Sequence, residues 1–157
     1  MRKAARLVGG LAGVVLSLGL AGAGEGMQHS ATAPAAMLRV TVVNVRTQEG
    51  KLRLSVYDSP EGFPRDEQKA VARVVLKASE ADAPVEFSLP PGRYAVAVLH
   101  DENDNGRMDT NFWGVPSEGY GVSNNVRPRF RAPRFHEAAF DLPANGLQAT
   151  VSMHYPG

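Results

Sequence analysis

At 157 residues and 43% hydrophobic composition the chain can build one domain with a real core, and with no cysteine it has no disulfide, thiolate metal site or cysteine nucleophile. Its 17 Lys and Arg nominally outweigh 16 Asp and Glu, but Arg2, Lys3 and Arg6 fall in the first 23 residues, which hold no acid, so 14 basic residues face 16 acidic ones beyond them. That balance excludes the dominant positive field on which nucleic-acid binding depends.

Residues 1–23 read as a secretory signal peptide, with a basic start, an apolar Gly-rich run from Leu7 to Leu20 and a small-x-small close at Ala21-Gly22-Ala23. The run is short and glycine-broken for a lasting membrane span, and no cysteine follows it to carry a lipid anchor. The expectation is therefore an exported protein, periplasmic or extracellular. A disordered linker is expected over residues 24–36, rich in Gly, Ser, Ala and Thr, with an ordered domain over 37–157.

From Leu38 to Val45 apolar and polar residues alternate, the two-residue period of a half-buried strand, and Lys51 to Tyr57 alternates again through Leu52, Leu54 and Val56. Gln48-Glu49-Gly50 between them predicts a hairpin in which the two strands pair. Asp58 to Gln68, with Pro60, Gly62 and Pro64, is a loop in which Phe63 can tuck back as an anchor. Short strands follow over Val71–Leu76 and Val85–Leu89. Pro90-Pro91-Gly92 turns the chain into another, through Tyr94, Val96 and Val98, that ends at His100 and Asp101. Later, Phe130, Phe135, Phe140 and Leu142 suggest one or two strands broken by prolines, and Leu147 to Tyr155 alternates to the end. About seven short strands without a helical window predict an all-β antiparallel sandwich with one long ion-binding-type loop.

That loop carries the chemistry. In His100–Asp109 (HDENDNGRMD) the oxygen donors Asp101, Asn103 and Asn105 recur at alternate positions, Gly106 permits the tight turn that makes them converge, and Asp109 adds a carboxylate. With the backbone carbonyl of Arg107 this is a hard, all-oxygen ligand set suited to Ca²⁺. It departs from an EF-hand, which needs a bidentate Glu where Phe112 stands; Glu118, returned by the Gly114–Gly121 turn, is the candidate late ligand. Few carboxylates imply an affinity of about 10⁻⁴ to 10⁻³ M. The competing interpretation is a metal-free Asx-turn loop whose side chains cap their own backbone. Glu102 and Asp104 point outward in this register.

Three other readings compete for function. His100 beside Asp101 invites a hydrolase, but no oxyanion hole or nucleophile motif accompanies them, so no residue is assigned a catalytic role and His100 is expected to hydrogen-bond loop backbone. Phe112, Trp113 and Tyr120 in an amide-rich loop suggest carbohydrate binding by stacking, with Trp113 and Tyr120 as the contacts. Against it, a lone Trp is usually mostly buried, so Trp113 is expected to plug the end of the sandwich. Arg127, Arg129, Arg131 and Arg134 form a stripe that fits an anionic envelope polymer, or simply the solvated face of an edge strand. His136 and His154 form no ligand pair of standard spacing, and nothing selects an oligomeric state.

Two family resemblances bear on this reading. Phe87 to Val98, as F-x-L-P-P-G-x-Y-x-V-x-V, resembles the strand-turn-strand signature of transthyretin-like (prealbumin-like) β-sandwich domains. His100, Asp101, Asn103, Asn105, Gly106, Asp109, Asn111, Gly114, Pro116, Glu118, Gly119, Gly121, Ser123 and Asn124 match the core pattern of a bacterial family of exported proteins, domain of unknown function 2141, and that likeness covers most of Met37 to Tyr155. It implies an exported β-sandwich and brings no activity with it.

Overall fold

The computed structural model describes residues 34–156; the expected leader and residues 24–33 of the expected linker lie outside them. From Ala36 to Val43 (β1) the alternation buries Leu38, Val40 and Val42 on one side. The seven strands that follow are β2 (Lys51–Tyr57), β3 (Ala72–Lys77), β4 (Val85–Leu89), β5 (Gly92–Asp101), β6 (Gly119–Val122), β7 (Phe140–Leu142) and β8 (Leu147–Ser152). One sheet runs β4-β1-β8 and the other β3-β2-β5-β6, with β7 on the first residues of β5. The expected all-β sandwich is the fold observed, with eight strands among the described residues.

Leu38, Val40, Val42, Phe87 and Val151 of the smaller sheet meet Leu52, Leu54, Val56, Val96 and Val98 of the larger one in a single apolar core. Burying each such side chain contributes roughly 1.5–3 kcal/mol. Among the described residues the buried apolar side chains fall between Ala36 and Met153.

The expected β1–β2 hairpin does not form. β1 is flanked by β4, antiparallel, and β8, parallel, while β2 lies in the other sheet between β3 and β5. Asn44 takes a left-handed φ of 61°, and residues 44–50 carry the chain across from one sheet to the other. Alternation fixes which face of a strand is apolar but leaves its partner open. The aromatic run after Asn125 also differs from expectation. Only Phe140–Leu142 is a strand, Phe135–Ala138 is a single helical turn, and residues 126–134 are irregular, in keeping with prolines that remove backbone donors.

The larger sheet has an outward face as well. At one end it is covered, because Phe63 does tuck back: its ring stands edge-on to Tyr57 at 5.3 Å and to Phe135 at 6.0 Å, over Ala95, Ala97 and Ala138. Elsewhere Arg53, Leu99 and Tyr120 face outward without such a cover, and this open half of the sheet is where the loops gather.

β6 runs close beneath the end of β8, and Gly121 is the residue that permits it. A Cβ there would lie 2.7 Å from Val151 Cγ1 and 2.9 Å from the Ser152 carbonyl oxygen. Gly121→Ala is expected to destabilise the fold by about 1–3 kcal/mol through overpacking, visible as a lower midpoint in urea unfolding. An unchanged midpoint would show that β6 and β8 can separate freely.

Candidate functional site

β5 delivers His100 and Asp101 to the end of the core, where both side chains are 0% exposed. His100 Nε2–H donates to the Glu49 carbonyl at 2.8 Å, and Nδ1 accepts the Tyr155 hydroxyl at 2.7 Å; the carbonyl can only accept, which fixes the tautomer. His100 therefore does hydrogen-bond loop backbone, that of the 44–50 crossing. Burial also holds the Tyr155 hydroxyl above its ordinary pKa, and the Arg46 N–H donates to it at 2.9 Å. Neither His100 nor Asp101 reaches the surface, so the hydrolase reading gains no accessible base.

The acidic loop folds around its own backbone. Asp101 accepts from the Asn105 N–H at 3.0 Å and the Gly106 N–H at 2.8 Å, with Gly106 at φ 79°. Asn103 Oδ1 accepts from the Asn105 N–H and Asn105 Oδ1 from the Arg107 N–H, the Asx turns expected of such a spacing. Asp109 lies opposite, receiving Asn103 Nδ2 at 2.6 Å and Asn105 Nδ2 at 2.9 Å. These bonds, from Asn105 first and then Asn103, hold the Asp109 carboxyl below the usual carboxylate range. Glu118, 5% exposed, closes the base by accepting from the Glu102 N–H at 3.1 Å and the Asp109 N–H at 3.0 Å. Buried donors left unmade cost about 1–3 kcal/mol each, so Glu118 fixes the loop's shape whatever else it does.

The sequence-predicted residues Asp101, Asn103, Asn105, Asp109 and Glu118 are thus gathered in one small loop, with the Arg107 guanidinium 4.0 Å from Asp109. Among the described residues no three His, Cys, Asp or Glu side chains form a ligand cluster. The Asn103 and Asn105 nitrogens face Asp109, where a cation would meet oxygens, and both amide oxygens are taken up by the Asn105 and Arg107 N–H groups, so the loop stands here as a self-capped turn. Glu102 and Asp104 face outward as expected, Glu102 toward Arg46 and Asp104 2.7 Å from Lys51 Nζ.

Beyond Asp109 the chain makes a small hairpin, bridged from Thr110 to Pro116. Asn111 caps its tip by accepting from the Trp113 and Val115 N–H groups, and Gly114 takes φ 74°. The tip projects: Phe112 is 93% exposed and Trp113 82%. Trp113 therefore does not plug the sandwich. The hairpin turns it away from the core, which is already filled by aliphatic side chains.

Trp113 overlooks a groove of about 940 Å³ on the uncovered half of the larger sheet. Ser55, Leu99 and Tyr120 contribute its strand-borne floor, and loops at 64–68, 106–116 and 127–133 contribute its sides. Six arginines line it, Arg53, Arg65, Arg107, Arg127, Arg129 and Arg131, against two carboxylates, Asp66 and Glu67. Arg53 is bound in a fork by Glu67, at 2.8 and 2.9 Å, and Arg131 by Glu137. Among the described residues no carboxylate approaches Arg65, Arg127 or Arg129 within salt-bridge distance. The Arg127–Arg131 stripe lies on irregular backbone, not on an edge strand, yet its arginines converge on the groove. Sequence reasoning missed Arg53 and Arg65. The signal for Arg53 was its place opposite Leu52 and Leu54 on β2, whereas Arg65 sits in a loop with no periodicity to place it.

Ser123 and Asn124 brace one groove wall from behind. Ser123 Oγ donates to the Ala138 carbonyl at 2.6 Å and accepts from the Val96 N–H, while Asn124 Nδ2 donates to the Ala139 carbonyl at 3.0 Å.

Over residues 40–150 the chain matches a family described as an uncharacterized protein conserved in bacteria (DUF2141). No curated protein and no solved structure matches it, so the prealbumin-like likeness rests on its sequence pattern alone.

Arg131, followed by the Arg134 N–H, pushes the Glu137 carboxyl down to about 2 from an ordinary 4.5. Because the folded value is the depressed one, this contribution is whole above the ordinary value and is lost as pH falls toward 2. Urea unfolding of wild type and Glu137→Gln at stepped pH should show a stability gap above about pH 5 that closes near pH 2, and that shrinks with salt because the pair is exposed. A gap independent of pH would show that the carboxylate's charge is immaterial.

Proposed function

The chain belongs to the DUF2141 family, and we propose that it is an exported, non-catalytic binding protein, periplasmic or extracellular, whose groove holds a carboxylated glycan or a similar anionic envelope polymer. The observation that carries this reading is the segregation of charge. A chain in which acids outnumber bases beyond residue 23 collects six arginines against two carboxylates around one concave surface. Guanidinium forks match carboxylate geometry, and an exposed indole at the rim offers a face for a sugar ring. Export is supported by the leader-like residues 1–23. A non-catalytic role is supported by the full burial of His100 and Asp101.

Isothermal titration with a soluble polyuronate and a neutral glucan of similar length tests the proposal. Binding is expected for the polyuronate alone, weakening as salt rises. Arg127→Ala combined with Arg129→Ala should weaken it about tenfold, equivalent to ~1.4 kcal/mol, and Trp113→Ala should weaken it severalfold. Equal binding of the neutral glucan, or none of the polyuronate, removes the reading.

We also propose a calcium-type role for the loop, favoured by the meeting of Asn103 and Asn105 with Asp109 above the buried Asp101. Asp101, Asn103, Asn105, Asp109 and the Arg107 carbonyl would hold the ion, with Glu118 behind them, and bound Ca²⁺ would stiffen the groove wall that follows. The melting temperature should then rise in millimolar Ca²⁺, and Asp101→Ala with Asp109→Ala should abolish the rise; Asp109→Asn alone, which keeps the fold's steric outline, should reduce it. A wild type indifferent to both Ca²⁺ and chelator leaves a self-capped turn.

A further inference from the structure

We propose that the Phe112–Trp113 tip and Phe130 dock this protein onto an anionic lipid bilayer. The two loops border the same groove, and each ends in bare aromatic surface: Phe112 and Phe130 are both 93% exposed and Trp113 is 82% exposed. Such side chains are rarely left in water at loop tips without a use. Phe112 and Trp113 stand edge-to-face at 5.3 Å, which presents them as one blunt wedge.

The chemistry around the tips selects the partner. Trp113 and Phe130 line one groove with Arg65, Arg127 and Arg129, to which no carboxylate comes within salt-bridge distance among the described residues, while Arg107 and Arg131 lie against Asp109 and Glu137. Aromatic rings seat at the boundary between headgroups and acyl chains, while arginines remain with the lipid phosphates and respond to a negative surface potential. A folded protein partner would call for a continuous apolar patch. Here the apolar groups are separate prongs interspersed with cations and divided by an arginine-bearing groove, an arrangement that fits between headgroups. Phe112 and Phe130 serve the docking alone, whereas Trp113 and the groove arginines are shared with the polymer reading above, so quenching from within the bilayer is the readout that separates the two.

The chain has a single tryptophan, so its emission reports on the wedge directly. The test uses residues 24–157, which hold all the buried apolar side chains among the described residues, with phosphatidylcholine vesicles prepared with and without phosphatidylglycerol. With phosphatidylglycerol present, Trp113 emission should shift to the blue and be quenched by lipids brominated on their acyl chains; without it neither change should occur. Phe112→Ser combined with Phe130→Ser, both exposed positions that leave the core intact, should lower vesicle affinity at least about tenfold while Trp113 remains as reporter. The proposal is overturned if anionic vesicles do not bind. It is equally overturned if they bind without quenching, or if soluble polyuronate reproduces the blue shift while brominated lipid does not quench.

Discussion

A carboxylate with no solvent exposure, Asp101 at the end of β5, is the constraint from which the loop architecture follows. Burying such a charge is tolerable only when its oxygens are taken up, and here the Asn105 and Gly106 N–H groups turn inward to do so, with Arg53 Nη1 3.9 Å away. The chain must therefore reverse within five residues of leaving the strand. Glu118 repeats the device from the other end of the loop, and the hairpin between the two anchors has one way to go, outward.

The same end of the strand pair is tied a second time by His100, the residue before Asp101 on β5. Its ring joins the 44–50 crossing to Tyr155 near the C-terminus, and Tyr155 in turn lies over Gly119, where a Cβ would come within 2.1 Å of its ring. Thus Gly119 lets an aromatic ring close the core, and a histidine that looks catalytic in sequence serves as a clasp. The Arg46 guanidinium sits 4.6 Å from the face of the same tyrosine, a cation–π contact that extends the clasp to the surface.

With both anchors buried, the groove is left to side chains that no core position constrains. Tyr57, Phe63 and Phe135 cover one half of the outer face of the larger sheet, and the half they leave open receives arginines from four separate segments. Burial pushes the Tyr57 hydroxyl up to about 12, with the Ser55 hydroxyl acting against the shift. The uncovered half is concave and lined by arginines, while the aromatic tips stand at its margins.

Periodicity in the sequence determined β1 to β5 and β8 and the faces they bury, because a two-residue alternation needs only local geometry to be legible; β6, four residues with two glycines inside an expected turn, carried no such signal. The spacing of Asp101, Asn103, Asn105, Gly106 and Asp109 likewise determined a tight Asx-turned loop, since each of those turns is closed by residues two to five positions apart. Tertiary structure decided the rest. Whether β1 pairs with β2 depended on β4 and β8, strands distant in sequence that occupy both its edges. Whether Trp113 is buried depended on a core already filled and on two carboxylates holding the base of its hairpin. The meeting of Arg53, Arg65 and Arg127 in one groove has no local signature, because long-range packing alone brings those three segments to the same face of a sheet.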